Sequence, residues 1–431
     1  ILYTNCIFLL LFLIPLPWKE TKSYYHIIRW LYVVINSICL STNLIDCIYF
    51  QFTGKRTTIS VLNEFSNEGA GAMTKIFAEQ FIVNWYLVLL AVLLWIALWK
   101  FFRSPLQFKG LATKELLHHK LQLWKYVSIN LLAMGLLVPL SIAGMRGGFT
   151  ASTRPITISN ANEFAKQPSE TGIILNTPFS IIRTFNKKPF VTPDYMPEAE
   201  AKALFTPVHM PADSASFKPM NVVVIILESF SKQHFGFYNQ TLRNGTYAGF
   251  TPFLDSLIIN GAKTYQYSYA NGRKSIEGMP STLSSLPNFV EPLFLTPASL
   301  NSMSGLAREL SENKGYTSAF FHGAQNSSMG FHAFANATGF QKYYGRTEYN
   351  QDPNYNGDED FDGTWAIWDE EFLQFYCDRM SEMKQPFMTA IFTATSHTPY
   401  KLPQRYKGVF PTSEEPMQEC IAYTDNALRN F

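Results

Sequence analysis

Hydrophobic residues in the first 145 positions form long apolar runs separated by short, mostly basic loops, whereas the rest of the chain mixes apolar and polar residues as a soluble domain does. A bilayer core about 30 Å thick takes about 20 apolar residues to cross as a helix. Four such runs in succession, with Trp and Tyr near their ends, are more typical of membrane helices than of buried core helices. The predicted spans are Ile7–Trp18, which the start of the chain shortens, Ile27–Phe50, Phe81–Trp99 and Tyr126–Ala143.

Positive charges in the loops predict the orientation of these spans, because cytoplasmic loops carry an excess of Lys and Arg. The first and third loops lie on the same side of the membrane and are the most basic. Together they contain Lys19, Lys22, Lys100, Arg103, Lys109, Lys114, Lys120 and Lys125. We therefore expect a multi-pass membrane protein in which everything after the fourth span is extracytoplasmic.

Asp46 places a carboxylate inside the second predicted span, where burial of a charge is expensive. Two interpretations are open: a functional residue within the membrane, or a residue at the interface between membrane and water. The position of Asp46 near the outer end of the span favours the interface.

Changes in composition divide the chain into three parts: membrane helices over 1–145, a connector over 146–219 and a globular domain over 220–431. The connector contains many prolines and polar residues, which argue against a compact core there. Ile1 lies inside an apolar run and Phe431 inside a predicted helix. We therefore expect a fragment truncated at both ends, with an incomplete C-terminal domain.

The third part alternates predicted strands with predicted helices. Asn221–Leu227 is a continuous, largely β-branched run, the pattern of a central strand buried on both faces. Two further strands are predicted at Tyr316–Phe321 and Pro386–Thr395. The helices are predicted at Thr251–Asn260, Ser302–Asn313 and Trp365–Met383. This alternation predicts a parallel, doubly wound α/β sheet.

Each predicted strand leads to a residue that is able to take part in chemistry: Glu228, His322 and His397. In open parallel sheets, ligands bind beyond the carboxyl ends of the strands. A single histidine at a strand end is commonly a hydrogen-bonded structural residue. A carboxylate and two imidazoles that reach one sheet edge from distant parts of the chain predict a functional site instead.

Ser275 is the candidate nucleophile. It lies between a strand-like stretch, Thr264–Ala270, and a helix that we expect to begin near Ser275. The unpaired N–H groups and the positive dipole end of a helix N-terminus favour an oxyanion or a phosphate. The alternative is that Ser275 only caps the helix, with Glu277 in its first turn. A hydroxyl becomes a good nucleophile only beside a base or a metal, and Glu228 is suited to hold a divalent cation for this purpose.

The net charge and the cysteines narrow the possible partners and structural sites. Only 16% of the residues are charged and the formal net charge is +2, which is too small to indicate a nucleic-acid partner. The five cysteines form no CxxC motif, so neither a structural zinc site nor a disulfide framework is indicated.

Four motifs together resemble the lipoteichoic acid synthase and phosphoglycerol transferase branch of the alkaline phosphatase/sulfatase superfamily. They are NVVVIILES around Glu228, NGRKSIEGMPS around Ser275, FFHG at His322 and ATSHTPY at His397. The order of membrane helices, connector and outer α/β domain is similar as well. The resemblance implies a sulfatase-like catalytic domain at 220–431, outside the inner or plasma membrane of a bacterium.

The resemblance also implies a cofactor and a reaction. In this family a Glu and a Thr or Ser nucleophile bind one Mn²⁺ or Mg²⁺, and the matching positions are Glu228 and Ser275. The remaining metal ligands, an adjacent Asp-His pair, are expected beyond Phe431. Ser275 would take a head group from a membrane phospholipid, release diacylglycerol and pass the group to a glycan or lipid acceptor of the cell envelope. The residues expected to bind the substrate are His322, His397, Arg273 and Lys274.

Besides the metal ligands expected beyond Phe431, two departures from the family pattern leave alternatives open. Met329 and Phe331 stand where lipoteichoic acid synthases carry a Trp and an Arg that contact glycerol phosphate. The transferred group is therefore either phosphoglycerol or phosphoethanolamine. The nucleophile is Ser rather than the Thr of the Gram-positive enzymes.

A sulfatase or phosphodiesterase-type hydrolase is one alternative function, although Ser275–Met279 lacks the Pro and Arg of the sulfatase maturation motif. A non-catalytic membrane protein with a binding or regulatory role is the other.

Overall fold

The computed structural model divides the chain into two compact units, Ile1–Asn186 and Lys187–Phe431. The residues that it describes are 2–16, 19, 21–59, 78–103, 120–149, 155–187, 194–206, 216–272, 274–289, 292–413 and 415–431.

The first unit is helical. Its helices are α1 (Leu2–Leu13), α2 (Lys22–Thr53), α3 (Trp85–Phe101), α4 (Lys120–Arg146), α5 (Thr171–Ile174) and α6 (Thr177–Thr184). By length and composition, α2 and α4 are able to cross a membrane, whereas α1 and α3 are shorter apolar helices. Four spans were predicted. Among the described residues, two helices, α2 and α4, have the length that a span requires. The run predicted at Ile7–Trp18 forms a helix only up to Leu13, since Pro15 cannot continue it.

The outer surfaces of α2 and α4 are apolar. Trp30 and Ile38 of α2 and Leu132 of α4 are 51%, 60% and 78% exposed, respectively. A helix from the core of a soluble protein would bury such side chains. These faces therefore suit a lipid environment.

Asp46 is fully buried and paired. Its Oδ2 lies 2.7 Å from Nη1 of Arg56, and its Oδ1 accepts a hydrogen bond of 2.8 Å from the Thr57 N–H. Arg56 also donates from Nε to the Gly172 carbonyl (2.6 Å). The carboxylate thus has a structural role: it fastens the end of α2 to the chain that follows.

In its described residues, the second unit contains a four-stranded parallel sheet with the order β1-β4-β2-β3. The strands are β1 (Val222–Ile226), β2 (Thr317–Phe321), β3 (Lys342–Tyr344) and β4 (Phe387–Phe392). The helices are α7 (Glu198–Leu204), α8 (Pro252–Ile259), α9 (Ser275–Ser284), α10 (Leu306–Lys314), α11 (Phe331–Ala337), α12 (Arg346–Gln351), α13 (Asp369–Ser381) and α14 (Pro416–Asn430).

Successive side chains of each strand face opposite layers of helices. Phe320 of β2 packs into a core that includes Met279 of α9 and Phe334 of α11. Its neighbour Phe321 belongs to a second core, with Tyr376 of α13. Because helices cover both faces of a parallel sheet, the predicted parallel, doubly wound α/β architecture is confirmed.

The position of the first strand differs from the prediction. Asn221–Leu227 was expected to be a central strand buried on both faces, but among the described residues β1 lies at one end of the sheet. Val223, the second residue of β1, is 41% exposed. A β-branched run indicates a strand but does not say where in the sheet the strand lies, so this prediction is wrong.

Three other predictions fail locally. The helix expected from Ser302 begins only at Leu306. Thr264–Ala270 has strand-like composition but forms turns and irregular backbone, with no strand pairing in the described part of the chain. The helix expected from Trp365 begins only at Asp369. Oδ1 of Asp362 accepts hydrogen bonds from the Thr364 and Trp365 N–H groups and folds the preceding segment into a turn.

Candidate active site

Ser275 and Glu228 meet although 47 residues separate them. The Ser275 hydroxyl donates a hydrogen bond of 2.6 Å to Oε2 of Glu228. Ser275 is the first residue of α9, whose N-cap is Lys274. The interpretation that Ser275 only caps the helix is therefore wrong, because its hydroxyl binds a distant carboxylate.

The loop before Ser275 folds tightly against the first turn of α9. Oε2 of Glu277 accepts a hydrogen bond from the Lys274 N–H (3.1 Å). Gly272 has a φ of +90°, and a Cβ there would lie 2.4 Å from Cβ of Glu277. Only glycine fits this position without displacing the turn that presents Ser275.

Glu228 is held from two sides at the end of β1. Its N–H donates to Oγ1 of Thr393 (2.9 Å), which follows the neighbouring strand β4. Ser229 adopts the left-handed region (φ 61°), and its hydroxyl donates to Oε1 of Glu228 (3.1 Å). Non-glycine residues rarely adopt such backbone, and it is concentrated at functional sites. Both carboxylate oxygens of Glu228 are thus oriented.

His322 is a buried, neutral imidazole. Its Nδ1 lies 2.9 Å from the Phe392 carbonyl oxygen, and its ring stacks on Phe331 with a centroid distance of 4.3 Å. Burial lowers the pKa of His322 to about 4, outweighing the opposing effect of the Phe392 carbonyl. Since a carbonyl only accepts, Nδ1 carries the proton, and Nε2 is the nitrogen left for a ligand.

His397 is half-buried and packs against Trp365, with a centroid distance of 4.6 Å. Its Nδ1 lies 2.9 Å from the Thr398 carbonyl oxygen, so Nε2 is again the nitrogen left for a ligand. The indole N–H of Trp365 donates to the same carbonyl.

Most of the predicted site residues line one cavity at the carboxyl ends of the strands. The lining includes Glu228, Ser275, His322, Thr393, Trp365 and His397. Met329 and Phe331, the departures from the family pattern, line it as well. Arg273 lies outside the described residues. Lys274 is exposed and does not line this cavity, so its binding to substrate stays a prediction.

A divalent cation of the Mg²⁺ or Mn²⁺ type prefers oxygen donors. The Glu228 carboxylate and the Ser275 hydroxyl, 2.6 Å apart, are such donors and fit this part of a site. Within the described ranges, no group of three or more His, Cys, Asp or Glu side chains is arranged to hold a metal ion. The two donors are thus incomplete as a metal site, and the expected Asp-His pair stays a prediction.

Asp369 positions the loop that carries Thr393 and His397. It is 3% exposed, and its carboxylate accepts hydrogen bonds from the Ala394 N–H (2.8 Å), the Thr395 N–H and the Thr424 hydroxyl (2.7 Å). Burial raises the pKa of Asp369 and outweighs these hydrogen bonds. These donors therefore stabilise the buried carboxylate, and without it the buried N–H groups would lose their acceptor.

Replacing Asp369 with alanine is expected to lower the free energy of unfolding by about 2–4 kcal/mol, because buried N–H groups lose their acceptor. Urea denaturation measures this change. Asp378→Ala is the matched control: it removes an exposed carboxylate of the same helix that accepts a hydrogen bond from the Tyr355 hydroxyl. Equal destabilisation by the two variants would contradict the role given to Asp369.

His322 is expected to make the stability depend on pH. Its pKa is about 4 in the folded chain and about 6.5 when unfolded. The stability associated with the neutral ring is therefore present above pH 6.5 and is lost as the pH falls towards 4. The loss is about 3 kcal/mol. Urea denaturation of metal-free protein at pH 7 and pH 4 should show a larger decrease for wild type than for His322→Gln. Identical decreases would contradict a buried neutral ring.

Sequence reasoning missed Thr393, Trp365 and Asp369. Thr393 belongs to a run that was assigned to a strand, and threonine is ordinary in strands. Trp365 and Asp369 were placed in one long helix, in which neither would have a distinct role. The only available signal was the closeness of Thr393 to the motif around His397. The partners of Trp365 and Asp369 lie 33 and 25 residues away in sequence.

The C-terminal part of the chain is similar to known proteins. Residues 220–431 match the sulfatase family model. The lipoteichoic acid synthase-like protein of Bacillus subtilis (strain 168) is 22% identical over 224 residues, which are 50% of this chain and 34% of that protein. Lipoteichoic acid synthase 1 of the same strain is 25% identical over 225 residues, 50% of this chain and 33% of that protein. The lipoteichoic acid synthase of Staphylococcus saprophyticus is 28% identical over 190 residues, 42% of this chain and 27% of that protein. The chain thus spans about a third of the length of the curated relatives that it matches.

Two solved structures are similar over half of the chain. An alkaline phosphatase superfamily protein from Vibrio parahaemolyticus has a TM-score of 0.41 and 23% identity, and the match covers 50% of each chain. A lipoteichoic acid synthase from Listeria monocytogenes has a TM-score of 0.40 and 21% identity, and covers 49% of this chain and 50% of that chain.

Proposed function

We propose that this protein is a metal-dependent transferase, on the basis of its site, of its match to the sulfatase family over residues 220–431 and of its similarity to lipoteichoic acid synthases. It would move a phosphoglycerol or phosphoethanolamine head group from a membrane phospholipid to a glycan or lipid acceptor of the cell envelope. The proposed location is the cell membrane of a bacterium, with several spans and the domain at 220–431 outside.

The observation that carries this proposal is the hydrogen bond between Ser275 and Glu228, 2.6 Å long, in a cavity that His322 and His397 also line. A serine that binds a carboxylate beside two imidazoles is placed for nucleophilic attack. The nitrogens left for a ligand on both histidines are Nε2. Each would donate to a phosphate oxygen only after it takes up a proton, which the negative charge of a phosphate favours.

Charge explains why the site needs a cation. A phosphodiester is an anion, and the Glu228 carboxylate beside Ser275 would repel it. Glu228 and Ser275 would hold Mn²⁺ or Mg²⁺ together with the Asp-His pair that the family resemblance implies. Such a cation would lower the pKa of the hydroxyl and neutralise the phosphoryl oxygens.

The proposed covalent step exchanges one ester for another. The Ser275 Oγ forms a bond to phosphorus, and the bond between phosphorus and the diacylglycerol oxygen breaks. The hydroxyl proton of Ser275 passes to Oε2 of Glu228, its hydrogen-bond acceptor, and ends on the hydroxyl of diacylglycerol. An acceptor hydroxyl then attacks the phosphoryl-serine and returns a proton to Ser275.

The apolar faces of α2 and α4 support the membrane location. Both helices are long enough to span a bilayer. A phospholipid donor is also most accessible to an enzyme that is held at the membrane. The basic loops of the sequence favour a domain outside the membrane, on the side where envelope polymers are built.

The test uses the complete protein in lipid nanodiscs with Mn²⁺. We expect release of diacylglycerol from phosphatidylglycerol or phosphatidylethanolamine, and mass spectrometry of the acceptor fraction identifies the transferred group. Hydrolysis of an aryl sulfate without release of diacylglycerol would favour a sulfatase instead. No turnover of any phospholipid or sulfate ester in the complete protein would favour a non-catalytic role.

A further inference from the structure

The helical unit contains a partly open cavity of about 630 Å³ that the proposed chemistry does not use. It lies between the start of α1, the middle of α2, the end of α4 and the segment 156–179. Ligand pockets for small molecules commonly have volumes of about 300–1,000 Å³. The cavity is therefore large enough for a lipid acyl chain and its head.

The wall of the cavity is mainly apolar. Leu2, Leu40, Leu98, Phe164 and Leu175 are among its lining residues. Its polar members are uncharged amides and hydroxyls, such as Tyr3, Asn36 and Asn43. None of the described residues that line it carries a charge.

The amides are arranged along α2. Asn36 and Asn5 donate to each other through their Nδ2 groups (2.9 and 3.0 Å), which joins α2 to α1. Seven residues further along, Oδ1 of Asn43 accepts from the Thr177 N–H and from Nδ2 of Asn176 at 3.3 and 3.4 Å. These last two bonds are longer than the usual 2.9–3.0 Å. A ligand hydroxyl is able to compete for this oxygen.

We propose that this cavity binds a neutral acylglycerol, a lipid with an uncharged hydroxyl- and ester-bearing head. An acyl chain would fill the apolar part, and the head would hydrogen-bond to Asn43 and Asn176. This inference rests on the proposed membrane location, but not on the proposed catalysis.

The described lining residues are uncharged, which favours a neutral acylglycerol over a phospholipid. An unpaired phosphate in an uncharged, largely apolar wall would lose its hydration without compensation. Arg183 packs over the ring of Tyr3, 6.0 Å from its centroid, but is not among the lining residues. A head group of hydroxyls and esters needs only the amides and hydroxyls that are present.

The test is photocrosslinking of the complete protein in nanodiscs with a diacylglycerol that carries a diazirine on one acyl chain. Peptide mass spectrometry should place adducts on the lining segments at 2–5 or 36–43. Leu40→Trp fills the cavity and should reduce labelling at least tenfold. Ile38→Trp is the matched control, because Ile38 is 60% exposed on the same helix, and it should label as wild type does.

Two results would overturn the proposal: labelling that Leu40→Trp leaves unchanged, or equal or stronger labelling at these segments by phosphatidylglycerol with the same diazirine. In the second case, loss of phospholipid labelling in Arg183→Gln would assign the site to an anionic lipid. Ser275→Ala should label like wild type, so failure of the proposed catalysis leaves this test intact.

Discussion

Replacing Ser275 with alanine is expected to lower the turnover of phospholipid by at least about 10³-fold in the complete protein, since loss of a nucleophile removes the covalent route. Only the hydroxyl that binds Glu228 disappears, whereas Gly272 and the Glu277 carboxylate that shape the turn remain. The fold should therefore persist. Release of diacylglycerol with Mn²⁺ present measures the change.

Two variants test whether turnover depends on a hydroxyl at position 275 or on any serine hydroxyl of α9. Ser281→Ala removes a hydroxyl from the same helix that donates only to the local Gly278 carbonyl (2.8 Å), and should keep turnover within about twofold of wild type. Ser275→Thr keeps a hydroxyl and should retain measurable turnover. Wild-type turnover in Ser275→Ala would exclude Ser275 as nucleophile.

The period of hydrophobic residues identified most elements of the sheet but not their order. The runs that became β1, β2 and β4 were visible because buried parallel strands are continuously apolar. β3 has three residues, too short for any period to be recognised. The place of β1 at one end of the described sheet depends on which strand pairs with it, and a single run of β-branched residues does not encode that pairing.

The sequence identified the chemically reactive residues of the site but not the contacts between them. Glu228, His322 and His397 could be found because each follows a strand, and parallel strands end at one edge of a sheet. The hydrogen bond from Ser275 to Glu228 spans 47 residues, and the anchors Thr393 and Asp369 act through backbone N–H groups. Such contacts arise from the tertiary fold, so no local sequence pattern indicates them.

Replacing Glu228 with glutamine is expected to weaken Mn²⁺ binding at least about 100-fold and to abolish turnover, because loss of a direct ligand costs more than loss of the groups that orient one. Glutamine keeps the size of the side chain and an oxygen that still accepts from Ser275. It lacks the negative charge that would hold the cation. Calorimetric titration with Mn²⁺ and release of diacylglycerol measure the two effects on the same sample.

The comparison with Ser275→Ala separates the roles of the two residues. Ser275→Ala should lose turnover and keep most Mn²⁺ affinity, whereas Glu228→Gln should lose both, because the carboxylate supplies the charge and the hydroxyl supplies the nucleophile. Glu312→Gln removes the same charge from an exposed side chain of α10 and should change neither property. If Glu228→Gln bound Mn²⁺ as wild type does, the cation would not lie on Glu228. The proposed role of this carboxylate would then be reduced to that of a general base for Ser275.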